Sequence, residues 1–310
     1  MPKTAFVFPG QGSQKVGMGR AWAQEFPAAL AVFRAADEAL DTDLTELCWH
    51  GPEEELQLTA NTQPAILAVS VAIHRVLVEL GQAEVVAMAG HSLGEYSAHV
   101  AAGTLALGDA LRLVRRRGRL MQEAVPVGVG AMAAILGLAP EAVAAVTEEA
   151  SAGEVCSVAN FNSPEQTVIA GHAAAVARAM ALAKSRGAKR ALPLPVSAPF
   201  HCALMAPARR ALQPDLEAAE FSAPSVPVVV NIDATAVTAG AAARDALVRQ
   251  IDGPVRWVES VRYLTEKFGV ERFVEIGPGS VLTGLIRRIV PDAETLSLAE
   301  PAALAKLQEA

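Results

Sequence analysis

Residues 90–94, Gly-His-Ser-Leu-Gly, have the types and spacing of a nucleophile turn. In the pattern G-x-S-x-G a serine lies on a strained turn between a strand and a helix, where only small flanking residues fit. The apolar run at residues 85–89 predicts the strand, and the residues after Gly94 predict the helix. Ser92 would then lie at a helix N-terminus, which favours negative charge nearby. We interpret Ser92 as a candidate nucleophile; the alternative is a serine that only caps the helix.

A serine nucleophile needs a base, and the chain contains six histidines. His201 follows Ser92 in the chain, as in hydrolase-like folds, and lies at a predicted junction between a loop and a helix. It is the candidate base, and the alternative is a histidine satisfied by backbone groups at a helix start. No convincing motif surrounds the downstream acids that could orient it, which are Asp233, Asp245, Asp252 and Glu275. We infer that a group other than a carboxylate holds the imidazole.

The helix predicted over residues 109–124 is rich in arginine. Leu113, Arg117 and Leu120 share one face of this helix, and Met121 lies one turn beyond Arg117. A guanidinium turned into a cleft binds a carboxylate or a phosphate through two hydrogen bonds. Arg117 is therefore a candidate for binding an anionic substrate group. The alternative is a solvated basic face, which describes most of the neighbouring arginines.

The N-terminal segment FPGQGSQ is a strand end followed by a glycine-rich turn. It lacks the Lys-Ser/Thr ending of a phosphate-binding P-loop, and its glycines do not fit the dinucleotide pattern G-x-G-x-x-G. Acyl transfer instead requires a backbone N–H opposite the nucleophile, from a loop after an early strand. We predict that Gln11 in this loop and Leu93 after the nucleophile donate N–H groups to an oxyanion.

The elements that position these residues fall into two groups. Residues 127–198 have the order β-α-β-β-α-β, typical of a ferredoxin-like unit. We predict that this small unit is inserted into a larger α/β unit with a parallel sheet, formed by residues 1–126 and 199–310. A long strand is predicted at residues 226–233. The composition, 52% hydrophobic but only 5% aromatic, suits helices packed on a parallel sheet.

Charge and composition argue against several classes of function. The net charge is -7, so the chain lacks the basic character of a nucleic-acid-binding protein. Charges, glycine or proline interrupt every apolar run, so we expect no membrane span and no signal peptide. Three scattered cysteines suggest no disulfide framework, and the histidines and cysteines lack metal-ligand spacing. We expect a cytoplasmic protein without a metal.

Together these motifs resemble the malonyl-CoA:acyl carrier protein transacylase family of fatty acid synthesis. The resemblance covers nearly the whole chain and is carried by FPGQGSQ, GHSLGEYSA, RRRGRLMQEA, GAMAAILG, VANFNSPEQTVIAG, PVSAPFHCALM, QIDGPVRW and FVEIGPGSVLTGL. The family has a hydrolase-like large subdomain and a ferredoxin-like small subdomain, so the resemblance implies the same α/β architecture here.

The resemblance also implies roles for individual residues. Ser92 would carry the acyl group, His201 would be its base, and Arg117 would pair with the free carboxylate of the malonyl group. Gln11 and Leu93 would supply the oxyanion N–H groups.

Three further positions follow from the resemblance alone. The backbone carbonyl of Gln250 would orient the imidazole of the base. Asn162 would lie near the pocket, and Phe200, directly before His201, is typical of malonyl-specific relatives.

The reaction implied by the resemblance is ping-pong transfer from malonyl-CoA, through a malonyl-serine ester, to the phosphopantetheine thiol of acyl carrier protein, with no cofactor. The carrier protein is acidic in this family, and the candidate docking residues are Lys184, Arg186, Lys189, Arg190, Arg287 and Arg288. We expect a monomer. Three alternatives stay open: a serine thioesterase or esterase, a non-catalytic carrier-binding module, and a transacylase that serves polyketide synthesis.

Overall fold

Two β-sheets and the helices around them form the fold in the computed structural model, which describes residues 2–196 and 198–308. Met1, Ser197, Glu309 and Ala310, which fall within the predicted units, lie outside the described residues. Ten strands run through the described part of the chain: β1 Thr4–Phe8, β2 Ala87–Gly90, β3 Gly130–Leu136, β4 Cys156–Ser163, β5 Gln166–His172, β6 Arg190–Pro193, β7 Val228–Val229, β8 Ala236–Val237, β9 Arg272–Glu275 and β10 Glu294–Ser297.

The same residues form fourteen α-helices. These are α1 Arg20–Glu25, α2 Pro27–Leu40, α3 Leu44–His50, α4 Glu53–Leu56, α5 Thr59–Glu79, α6 Leu93–Ala101, α7 Leu107–Glu123, α8 Pro140–Ser151, α9 Ala173–Ser185, α10 Ala206–Ala218, α11 Gly240–Gln250, α12 Trp257–Phe268, α13 Val281–Ile289 and α14 Leu304–Gln308. Across residues 2–196 and 198–308, none of them is long and apolar enough to cross a bilayer.

The larger sheet brings three glycine-rich loops to one edge. Its strand order is β10-β9-β1-β2-β7-β8, with β10, β9, β1, β2 and β7 parallel and β8 antiparallel. The four residues Ala5 to Phe8 of β1 are buried, as expected for a parallel strand covered by helices on both faces. Because β1, β2 and β9 run in the same direction, the loops at residues 9–12, 90–94 and 276–280 lie at the same sheet edge.

The smaller sheet has the strand order β4-β5-β3-β6 and is antiparallel throughout. The elements β3, α8, β4, β5, α9 and β6 follow one another as predicted, so the ferredoxin-like order is confirmed. One face of this sheet packs against α8 and α9. A parallel bridge between Asn160 and Val255 joins the two parts of the molecule, with N–H···O distances of 2.9 and 2.8 Å at Phe161 and Val255. The unit boundaries at residues 126/127 and 198/199 stay a prediction.

The strand prediction at residues 226–233 is wrong in its length. Only Val228 and Val229 pair with β2, because beyond them the backbone is bonded elsewhere. The N–H of Asn231 donates to a carboxylate oxygen of Glu95 at 2.8 Å, and its carbonyl accepts from Arg256 N at 3.1 Å. The edge strand β10 was not predicted, since it is short and only half-buried and so lacks a strong apolar pattern.

Helices α5 and α7 pack closely at Gly118, next to Arg117. A Cβ at Gly118 would lie 2.6 Å from the carbonyl oxygen of Thr59, whereas a Cβ at Gly284 in α13 would meet nothing within 4 Å. Replacing a helical glycine by alanine normally stabilises by roughly 0.5–1 kcal/mol. Because of the close approach at Gly118, alanine should destabilise the protein there, whereas it should stabilise the protein at Gly284.

We therefore expect opposite effects of two matched substitutions on thermal unfolding. Gly284→Ala should raise Tm, and Gly118→Ala should lower the free energy of unfolding by about 1–3 kcal/mol because the helices are forced apart. An unchanged or raised Tm for Gly118→Ala would contradict this account of how α7 is held.

Candidate active site

The turn at Ser92 has a backbone conformation that its flanking glycines make possible. Ser92 links β2 to α6 with φ 51° and ψ -106°, in the positive-φ region that non-glycine residues rarely adopt. A Cβ at Gly90 would lie 1.9 Å from the carbonyl carbon of Gly94, and one at Gly94 would lie 2.0 Å from the carbonyl oxygen of Phe8. Both positions therefore require glycine, and Ser92 is raised at the sheet edge.

Two buried side-chain amides hold this turn from either side. Asn231 Oδ1 accepts from the N–H of Ser92 at 2.7 Å, and Asn231 Nδ2 donates to the Gly90 carbonyl at 2.7 Å. Gln250 Nε2 donates to the Ser92 carbonyl at 3.0 Å. The N–H and the C=O of Ser92 are thus both engaged, and its hydroxyl is left to face the cleft.

Ser92 and His201 are in direct contact. Ser92 Oγ lies 2.7 Å from His201 Nε2, while Nδ1 faces the backbone carbonyls of Gln250 at 3.0 Å and Gly253 at 3.1 Å. Because a carbonyl oxygen can only accept, Nδ1 carries the proton and Nε2 accepts from the serine hydroxyl. The Gln250 carbonyl occupies the place implied by the family resemblance. The Gly253 carbonyl was not anticipated, since a backbone acceptor leaves no signal in residue type.

The four downstream acids considered as partners of His201 are engaged elsewhere. Asp233 and Asp245 pair with Arg249, and Asp252 pairs with Arg209. Glu275 accepts hydrogen bonds from the first turn of α13. None of these four carboxylates bonds the imidazole, and among the described residues its Nδ1 contacts only backbone carbonyls, in agreement with the inference from the sequence.

His201 is uncharged in this environment. Burial lowers the pKa of His201 and, together with the nearby positive charge of Arg117, brings it to about 3. A neutral imidazole at all ordinary pH values has a free lone pair at Nε2. It can therefore take a proton from Ser92. A negative charge that offsets Arg117 would make this proton transfer easier.

Arg117 is buried beside the serine hydroxyl with neutral partners. It is 1% exposed, and its Nη atoms contact Gln63 Oε1 at 2.8 Å, Gln250 Oε1 at 3.0 Å and Ser92 Oγ at 3.2 Å. Its guanidinium carbon lies 5.6 Å from the ring centre of Tyr96. Burial lowers the pKa of Arg117, but a guanidinium keeps its proton in proteins. A buried cation bonded only to neutral groups can bind an anion.

The two residues predicted to donate N–H groups, Gln11 and Leu93, both line the cleft. Leu93 is the first residue of α6, so its N–H has no partner within the helix. Gln11 lies in the loop after β1, and its side chain is anchored to Thr59 Oγ1 at 3.3 Å. The role of Gln11 and Leu93 as donors to an oxyanion stays a prediction.

The cleft lies between the two sheets and has a volume of about 170 Å³. All the remaining predicted site residues, Met121, Asn162 and Phe200, line it. The small sheet adds Met132 and Val168, and the segment after β6 adds Leu194 and Val196. Among the residues that the structure describes, no group of three or more histidine, cysteine or acidic side chains could hold a metal ion.

Asn162 lines the cleft and is bonded to His91, which the sequence did not single out. Its Oδ1 lies 2.8 Å from His91 Nε2, and the His91 ring packs edge-on against Trp257 at 5.6 Å. Burial lowers the pKa of His91, so the ring is neutral. Because the Asn162 oxygen accepts, His91 Nε2 carries the proton and donates it. The contact ties β4 of the small sheet to the residue before the nucleophile.

Comparisons with known proteins agree with this geometry. Residues 5–307 match the acyl transferase domain family. The chain is 54% identical over 309 residues, 100% of each protein, to the malonyl CoA-acyl carrier protein transacylase of Escherichia coli strain K12.

Solved structures give the same result. The acyl carrier protein S-malonyltransferase of Vibrio cholerae has a TM-score of 0.96 at 51% identity, covering 98% of this chain and 99% of that one. A malonyl-transacylase in complex with a type II PKS acyl-carrier protein also has a TM-score of 0.96 at 51% identity, covering 99% of each chain. The chain is an acyltransferase and belongs to the acyl transferase family, among the malonyl CoA-acyl carrier protein transacylases.

Proposed function

We propose that this acyltransferase moves a malonyl group from malonyl-CoA to the phosphopantetheine thiol of an acyl carrier protein, through an ester on Ser92, and so supplies fatty acid synthesis. The observation that carries the proposal is the position of Arg117, which is buried, bonded only to neutral groups and 3.2 Å from Ser92 Oγ. An acyl group that ends in a carboxylate gives this guanidinium a charged partner while its carbonyl lies next to the serine.

The first half of the reaction forms the ester. His201 Nε2 takes the proton from Ser92 Oγ as the oxygen attacks the thioester carbonyl. The N–H groups of Gln11 and Leu93 stabilise the oxyanion of the tetrahedral intermediate. The C–S bond then breaks, and the leaving CoA sulfur takes the proton from the imidazolium. A malonyl carboxylate on Arg117 offsets the positive charge that disfavours the imidazolium, so the acyl group assists its own transfer.

The second half reverses these steps with another thiol. The phosphopantetheine thiol of the carrier protein gives its proton to His201 and attacks the ester carbonyl. The C–O bond breaks, Ser92 Oγ regains the proton, and malonyl thioester leaves on the carrier. His201 holds each proton that moves, so neither half of the proposed reaction requires a metal or a cofactor.

The names of the relatives support this donor and this acceptor. The Escherichia coli relative is a malonyl CoA-acyl carrier protein transacylase, and a malonyl-transacylase of the same fold binds a type II PKS acyl-carrier protein. The second relative keeps polyketide synthesis open as the pathway served. A thioesterase is less well supported, since an ordinary acyl group would leave Arg117 buried without a charged partner, at a cost of about 1–3 kcal/mol.

The carrier protein would dock on cations that form no ion pair within the described part of the chain. Arg186 pairs with Glu149 and Lys189 lies 3.9 Å from Glu165, while Arg287 donates to Thr295. In residues 2–196 and 198–308, no ion pair engages the other three docking candidates, which are Lys184, Arg190 and Arg288. An acidic partner would compete least with internal ion pairs at these three residues.

Removal of either reacting group should abolish transfer to the carrier. We expect Ser92→Ala and His201→Ala each to lower the rate of malonyl-carrier formation by about 10³-fold or more, as for other nucleophile–base pairs. The product is measured by chromatography with purified carrier protein. His50→Ala, an exposed histidine bonded to Glu46, is the control and should retain full activity. Substantial transfer by Ser92→Ala would contradict the ester mechanism.

Arg117 should set the preference for a carboxylate. Because hydrogen bonds to charged groups contribute about 1.5–3 kcal/mol, Arg117→Ala should lower kcat/KM for malonyl-CoA by about 10- to 150-fold. The value for acetyl-CoA should change far less. Arg116→Ala is the matched control on the same helix, since Arg116 is exposed and pairs with Asp215. Equal losses with both substrates would show that Arg117 is needed only for folding.

A further inference from the structure

Glu95 is a fully buried acid directly behind the reacting groups, and the proposed reaction does not use it. It lies in the first turn of α6 and has no exposed surface. One of its oxygens, Oε2, accepts from the backbone N–H of Asn231 and from Gln250 Nε2, both at 2.8 Å. Its other oxygen, Oε1, is buried without a hydrogen-bond partner among the described residues. A carboxylate that is only half satisfied in a buried site calls for an explanation.

Gln250 connects this carboxylate to Arg117. Its Nε2 donates to Glu95 and to the Ser92 carbonyl, so its Oε1 must point the other way, where it accepts from Arg117 Nη2 at 3.0 Å. The orientation of this amide is therefore fixed by Glu95. The same residue holds His201 through its backbone carbonyl.

We propose that Glu95 is a positioning residue that sets the selectivity for malonyl groups. It is the internal counter-charge of Arg117 and acts on the guanidinium through Gln250. It therefore competes with the acyl carboxylate for Arg117. This inference rests on the proposed function, because it requires a substrate with a free carboxylate. Without substrate, the negative charge of Glu95 offsets the buried cation. With substrate, two negative charges share one guanidinium, which favours protonation of Glu95.

The charges around Glu95 allow this exchange near neutral pH. Burial raises the pKa of Glu95 to about 7, against the opposing effects of Asn231, Gln250 and Arg117. The charged or titratable groups that face it are Arg117 from α7, Asp233 after β7 and Tyr96 on α6. The pKa of Tyr96 is raised to about 12 by burial, and that of Asp233 is lowered by Arg249. Of these groups, only Glu95 changes its charge between pH 6 and 9.

The sign of the pH dependence follows from this exchange. A bound malonyl carboxylate adds a negative charge beside Glu95 and so raises its pKa. Binding therefore takes up a proton, and the preference for malonyl over acetyl is strongest at low pH. The malonyl/acetyl ratio should be highest where Glu95 is protonated and lowest where it is ionised. The two values should differ about tenfold for each unit by which the bound carboxylate raises the pKa of Glu95. The pKa of His201, lowered to about 3, keeps the base unchanged over this range.

The test is the rate of Ser92 acylation by malonyl-CoA and by acetyl-CoA, in single turnovers at subsaturating concentration from pH 6 to 9. The ratio of the two rates cancels the titration of the CoA phosphates, which both donors share. In the unmodified protein we expect this ratio to fall as the pH rises. A flat ratio would overturn the proposal without any variant.

Glu95→Gln separates charge from hydrogen bonding. Both bonds end on one oxygen, so a glutamine can accept both with its single Oε1 and keep the amide of Gln250 in place. We expect its malonyl/acetyl ratio to be independent of pH and, at pH 9, several-fold above that of the unmodified protein. If Glu95→Gln lowers Tm but leaves the pH dependence of the malonyl/acetyl ratio unchanged, Glu95 has only a structural role.

Glu275→Gln is the matched control, because Glu275 is also a buried glutamate with a raised pKa but bonds to the first turn of α13. It should lower Tm and leave the pH slope of the ratio as it was; loss of the slope here too would contradict a specific role for Glu95. Absence of any malonyl ester on Ser92 would instead contradict the proposed function.

Discussion

The backbone turn at Ser92 is the constraint on which the rest of the site depends. Its φ of 51° and ψ of -106° lie in a sparsely populated region, where a non-glycine residue loses about 1–3 kcal/mol. The turn persists because Asn231 and Gln250 bond its N–H and C=O, and because Gly90 and Gly94 allow the strand and helix to approach. Parallel strands bring the loop after β1 to the same edge, so Gln11 and Ser92 line one cleft although they are far apart in the sequence.

Charge in this site is arranged around a neutral base and a buried cation. Two backbone carbonyls orient His201, so among the described residues no carboxylate bonds its imidazole. Arg117 makes the imidazolium less favourable until an acyl carboxylate pairs with the guanidinium. Selectivity and reactivity are therefore linked in our account, since the group that is recognised also offsets the charge that opposes proton transfer. Glu95 belongs to the same balance, on the far side of Gln250.

The sequence predicted the residues that have a local signature and missed those defined by tertiary contacts. The turn at Ser92 and the chain order of the elements in residues 127–198 could be predicted from glycine spacing and periodicity, and the same periodicity made Arg117 a candidate for the buried side of α7. Gln250 came from family resemblance alone. Asn231 was missed because it lies 139 positions from Ser92, inside what looks like a continuous strand. The carbonyl of Gly253 and the anchoring role of Glu95 depend on folding, and neither leaves a pattern in residue type.

The central claim is that Ser92 carries a malonyl ester stabilised by Arg117. The most direct measurement is the mass of the intact protein and of its peptides after mixing with malonyl-CoA and quenching in acid. Acetyl-CoA and Ser92→Ala are run in parallel. Our account predicts one malonyl group on the peptide that contains Ser92, little acetyl adduct, and none in the variant. Free malonate without a lasting adduct, or a malonyl group on another residue such as Cys202, would contradict it.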